Sequence, residues 1–134
     1  MIRFIHCADI HLGSPFTGLQ QKNSTIASQA IEATKKAFLT LIETAIESHV
    51  DFILISGDIL DSSQQHIQEK IFLKEQFQRL AQEGIFTYLI HGNHDYGGFT
   101  EDWNNDWVKA FKEDVSTEIL KTSSGESIAI SGFS

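Results

Sequence analysis

Ile85 to Gly98 reads IFTYLIHGNHDYGG. The first six residues are an unbroken apolar run with β-branched and aromatic members, bounded by Gly84 on one side and a polar cluster on the other. That is the pattern of a short buried strand. The strand is followed at once by an imidazole, an amide, a second imidazole and a carboxylate set among glycines. Such a loop is built for close approach and for chemistry rather than for packing alone.

Working outward, two more segments repeat this plan. Residues 2–8, IRFIHCA, read as a strand and lead into Asp9-Ile-His11. Residues 51–56, DFILIS, read as a strand and lead into Gly57-Asp58-Ile-Leu-Asp61. Between these strands lie helical patterns. From Ser28 to about Val50, Ile31, Thr34, Ala37-Phe38, Leu41-Ile42 and Ala45-Ile46 form one stripe. From about Ser63 to Glu83, Ile67, Ile71, Phe77, Leu80 and Ala81 point inward, and Gly84 stands where a helix terminus favours glycine. Residues 101–113 are expected to be helical, with Trp103, Trp107 and Phe111 at i, i+4 and i+8. Two weaker strands are expected around Thr117–Lys121 and Ser127–Phe133.

Alternation of strand and helix predicts an α/β fold with a mainly parallel sheet and right-handed crossovers. In such a sheet all carboxyl ends share one rim, where open α/β folds bind ligands. Asp9, His11, Asp58, Asp61, Asn93 and His94 are therefore expected to meet there, with Asp95 beside them. Oxygen and imidazole donors of this kind suit divalent Mn, Fe or Zn. Each piece also has a plain reading: Gly-Asp-x-x-Asp as a turn and helix cap, Asn-His-Asp as a surface turn. The recurrence at three successive strand ends argues for a joint site.

Composition sets further bounds. The chain has 134 residues, 41% hydrophobic, with ten Phe, which is enough for one domain with a packed core. A single cysteine excludes an internal disulfide framework and fits a reducing, cytoplasmic setting. No apolar run is long enough to span a membrane. The formal net charge of −8, with Lys and Arg scattered, gives no basic footprint for nucleic acid. His6 is expected to be a hydrogen-bonded core histidine, Cys7 a buried small hydrophobe, and His91 a packing or supporting residue. His49 and His66 are expected on the surface, Lys70 and Lys74 on a solvated face. Tyr96 and Phe99 either stack on a base or pack the loop, and Trp103 and Trp107 belong to the core or to a partner surface.

In this order, DIH, GDILD and GNHD after three apolar strands resemble the calcineurin-like metallophosphoesterase superfamily. The run FIHCADIHLGSPF is similar, more narrowly, to the bacterial Mre11/SbcD-type DNA repair exonucleases, nearest to their YhaO-type branch. The resemblance implies an α/β/β/α sandwich of which residues 1–134 are the N-terminal part of one domain. It implies two divalent ions, manganese first, with iron or zinc as alternatives. Asp9 and His11 would hold the first ion, Asp58 would bridge, and Asn93 would hold the second. His94 would protonate the leaving oxygen; Asp95, next to it in the chain, is expected on our own reading to orient His94 by hydrogen bonding. The family completes its site with later histidines, and none follows His94 here, so the second site is expected to be incomplete and the segment a fragment whose own activity is in doubt. The resemblance also implies DNA as substrate, an SMC/Rad50-like ATPase as partner and a homodimer. A general metallophosphoesterase of small phosphoesters and a silent partner-binding scaffold stand as alternative readings.

Overall fold

The computed structural model describes residues 1–14, 18, 21–60, 67–92 and 103–134. In chain order the elements are β1 (Phe4–Cys7), α1 (Ser24–Glu47), β2 (Phe52–Ser56), α2 (Ile67–Gln82), β3 (Phe86–Ile90), β4 (Val108–Ala110), β5 (Ser116–Lys121) and β6 (Ser127–Gly132). Strands β1 to β4 form one sheet in that order, every neighbour parallel. Strands β5 and β6 form a separate antiparallel hairpin. The fold is thus α/β with a parallel four-stranded sheet; the strand–helix alternation predicts the class and the parallel sense, while the fourth strand falls where a helix is expected.

Helix α1 starts a turn before the expected Ser28. The Asn23 side chain accepts from the backbone N–H of Thr25 and Ile26, at 3.0 and 3.2 Å, satisfying two donors that the first turn leaves open. Helix α2 ends at Gly84, whose φ of +74° is the left-handed conformation glycine adopts without strain. There the Ile85 N–H reaches back to the Leu80 carbonyl at 2.9 Å.

Register sorts the sheet's side chains into two faces. Ile53, Ile55 and Leu89 point to the face covered by α1 and α2, where they meet Phe38, Ile42, Ala45, Leu73, Phe77 and Leu80. Phe52, Tyr88 and Phe111 point to the other face, where Leu120, Ile128 and Ile130 of the hairpin cover them. Covering both faces explains why the central strands read as continuous apolar runs. The hairpin leaves the β1 edge open, and Phe4, though stacked on Phe52 at 5.2 Å, is 53% exposed.

Three expectations are corrected. Residues 103–113 are not helical: β4 pairs with β3 in parallel, Thr87 with Val108 and Leu89 with Ala110. The Asn105 side chain accepts from the N–H of Trp107 and Val108, and Asn104 accepts from that of Ala110. These local bonds give the backbone an alternative to the helix ladder. Ile67 and Ile71 do not face inward, being 63% and 53% exposed; the buried stripe of α2 is Leu73, Gln76, Phe77 and Leu80. His6 is exposed rather than buried, because it lies on the open side of the outer face, where its Nε2 sits 2.8 Å from Ser56 Oγ.

Candidate metal centre

Beyond the sheet, the chain leaving β1 and the chain leaving β2 continue side by side. The Asp9 N–H donates to the Gly57 carbonyl at 3.2 Å, that of His11 to Asp58 at 2.9 Å and that of Leu12 to Ile59 at 2.8 Å. Leu12, fully buried, bridges in parallel to Leu60. The Gly57 N–H donates to Ile90 at 3.1 Å and so ties the end of β3 to the same rim. This backbone zipper holds three side chains together. One donor atom each from Asp9, His11 and Asp58 lies within 4.8 Å of the others. Asp9 is exposed, His11 and Asp58 half-buried.

All three residues have positive φ: +53° at Asp9, +47° at His11 and +50° at Asp58. Left-handed backbone costs an L-residue on the order of 1–2 kcal/mol, least for short polar side chains such as Asp. Persistence of this conformation at three converging polar residues is the pattern of a functional site held by its surroundings. The turn at Gly57 has φ +78°. Gly92 has a different reason to lack a side chain: a Cβ there would fall 2.1 Å from Asp58 Oδ1. The end of β3 therefore packs directly on the candidate ligand, which leaves room only for glycine.

The donor set fits a divalent cation. Bonds of about 2.1 Å place donors in one shell about 3–4 Å apart, and the three donors here lie within 4.8 Å of one another. Two carboxylates and an imidazole offer hard and borderline donors with net negative charge. The structure thus brings Asp9, His11 and Asp58 together at the carboxyl rim. Asn93, His94 and Asp95, together with Asp61, His66, Tyr96 and Phe99, lie outside the described residues. His91 stands on the rim, its N–H donating to Ser134 Oγ at 2.7 Å.

Other residues settle into structural roles. Cys7 is half-buried on the helix face, its thiol pushed up to about 11 by burial. Trp103 is buried against Phe77 at 5.4 Å, with the Lys74 ammonium 5.8 Å from its ring. What the sequence conceals is the pairing of the two exit loops. It also conceals a carboxylate from α2, Glu69, lying against Gly13.

A parallel sheet with Asp9, His11 and Asp58 gathered at its carboxyl rim defines an α/β protein with a candidate metal site, and comparison of sequences names the class. The chain belongs to the calcineurin-like phosphoesterase family, whose profile matches residues 2–129. It is 39% identical over 138 residues to the uncharacterized metallophosphoesterase YhaO of Bacillus subtilis, covering 99% of this chain and 33% of that protein. It is 34% identical over 94 residues to the DNA double-strand break repair protein Mre11 of Methanococcus maripaludis, covering 70% of this chain and 23% of the relative. The Mre11 of Archaeoglobus fulgidus is 33% identical over 97 residues, covering 70% and 19%. The chain thus spans a third or less of the length of these relatives. No helix among the described residues is long and apolar enough to cross a membrane.

Proposed function

We propose that residues 1–134 are the N-terminal part of a metallophosphoesterase domain that hydrolyses phosphodiester bonds in DNA with the aid of divalent metal. The observation that carries this reading is the meeting of Asp9, His11 and Asp58 within 4.8 Å at the sheet's carboxyl rim. Similarity to the Mre11 repair proteins supports DNA as the substrate. When bound, divalent ions supply the positive charge an in-line phosphoryl displacement needs and activate water at neutral pH.

The chain's own residues have distinct tasks in this scheme. Asp9 and His11 would hold one ion, and Asp58, on the loop that leaves β2, would be the carboxylate shared with a second. Asn93 would supply an amide oxygen to the second ion. Support for its place comes from its neighbour Gly92, which already lies against Asp58. His94 protonates the leaving oxygen, a role suited to a side chain with an ordinary pKa of about 6.5. Asp95 orients that imidazole. Manganese is the favoured ion, and an SMC/Rad50-like ATPase partner belongs to the same proposal.

One observation favours a second reading. The net charge of −8 gives DNA phosphates nothing general to grip and suits a smaller phosphodiester better. The assay that separates the two measures manganese-dependent hydrolysis by the full-length polypeptide carrying this segment. Single- and double-stranded DNA are compared with bis(p-nitrophenyl) phosphate. Preferential DNA cleavage that Asp58→Asn abolishes is the expected result. Turnover of the small diester alone moves the assignment to a general phosphodiesterase. Absence of any hydrolysis with metal bound sinks the enzymatic reading.

A further inference from the structure

The zipper between the exit loops fixes the backbone at His11 and Leu12, but the chain then turns away at Gly13, where φ is +73°. The three atoms nearest to where a Cβ at Gly13 would stand all belong to Glu69 of α2. They are Cγ at 2.8 Å, Cδ at 3.0 Å and Oε1 at 3.1 Å. Glu69 therefore packs on the loop two residues past His11. Its carboxylate lies 3.5 Å from the Lys35 ammonium of α1, and the two side chains are only 15% and 24% exposed. The pair joins α1 to α2 directly beside the loop. Its position against the loop gives it a further purpose.

We propose that Glu69 is a positioning residue for the metal centre: its carboxylate, held by Lys35, buttresses Gly13 and so keeps the β1–α1 loop in the shape that presents His11. The inference rests on the reading that Asp9, His11 and Asp58 bind metal. A left-handed His11 has no intrinsic preference for its conformation, and the bonds that shape its turn include the Ser14 N–H to the His11 carbonyl at 3.1 Å. Without a support beneath Gly13 the loop gains alternative conformations, and the imidazole is no longer presented in register with the carboxylates. Residues that orient metal ligands from outside the coordination shell typically cost about 10–100-fold in affinity when removed.

The test compares the wild-type chain with Glu69→Ala and Glu69→Gln in three measurements. They are Co(II) affinity, the visible absorption of the bound Co(II), and metal-free hydrogen exchange at the Leu12 amide. Glu69→Ala is expected to weaken Co(II) binding about 10–100-fold, to shift the absorption bands and to speed Leu12 exchange selectively over core amides such as Leu89. Glu69→Gln, which keeps the packing atoms but loses the ion pair, is expected to show a smaller loss in the same direction. If Glu69→Ala does not fold, the Gln variant is decisive on the same readouts. A lowered melting temperature with wild-type affinity and spectrum overturns the proposal and leaves a pair that merely joins two helices. Failure of the wild type to bind Co(II) instead overturns the metal reading beneath it.

Discussion

Asp9, His11 and Asp58 are held at positive φ with two carboxylates in one cluster, so the metal-free site is uncomfortable in two ways. The backbone conformation is costly, and like charges separated by about 5 Å repel by about 1 kcal/mol even in water-like surroundings. Asp9→Asn relieves both, because Asn tolerates the left-handed region and carries no charge. The expected outcome is opposite in sign for two measurements. Urea denaturation of the metal-free variant should show a gain of up to about 1 kcal/mol, while manganese affinity by calorimetry falls at least tenfold. Cys7 gives a second residue-scale test. Burial raises its thiol from 9.0 to about 11, so the folded state favours the protonated form. Its contribution to stability is full below pH 9.0 and is lost as pH climbs from there to about 11. Denaturation curves from about pH 8 to about pH 11 should therefore show a shallower decline for Cys7→Ala than for the wild type. The residue types at this site were readable because Asp and His after apolar runs are conspicuous. Their strained backbone was not, since φ is set by the neighbouring loop and not by the residue alone.

At the scale of elements, β4 shows where periodicity misleads. Trp103, Trp107 and Phe111 recur at helical spacing, yet they serve different parts of the sheet. Trp103 packs on Phe77 beneath α2, Trp107 lies 4.6 Å from Phe86, and Phe111 stacks on Tyr88 at the outer face. The competing signal was Asn104-Asn105-Asp106, whose side chains favour turns over helix interiors. Asn105→Ala removes the acceptor for two backbone donors, at 2.8 and 2.9 Å. Thermal and chemical unfolding should both report a loss of about 1–2 kcal/mol. A loss below about 0.3 kcal/mol would mean that β3 pairing alone dictates β4, because the side chain would then be worth less than an ordinary net hydrogen bond. The helix-face strands were legible by contrast, since Ile53, Ile55 and Leu89 sit in runs that admit no other placement. Helix α2 was legible in extent but not in phase. Ile67 and Ile71 satisfy the spacing rule while facing solvent, and the buried Gln76 takes a place that hydropathy assigns to an apolar residue.

For the whole molecule, the site is a product of topology. Positions 9, 11 and 58 meet only when β1 and β2 pair in parallel and their exits zip together, so the unfolded chain does not contain the site. That the three apolar strands lie parallel was inferable from connection rules. The bond pattern that locks the exits, and the Glu69–Lys35 support under Gly13, involve residues too far apart in sequence to be paired by inspection. Linkage turns this into a measurable quantity. A cation that binds the folded state alone stabilises it by about 2.7 kcal/mol at one hundred times its dissociation constant. For a chain of 134 residues this corresponds to a rise in melting temperature of about 10 °C. The unfolded chain has 18 Asp and Glu and six His, and its own weak association with metal reduces the rise. The control is therefore internal: melting curves of wild type and Asp58→Asn are recorded against manganese concentration. Asp58→Asn keeps the shape of the site and nearly all of the acidic surface, so nonspecific binding is preserved while the cluster loses a ligand. The wild type should gain several degrees in a saturable manner and the variant close to none. An equal, non-saturating shift in both would show that the ion senses only the overall negative charge and that the rim of the sheet is not a metal centre.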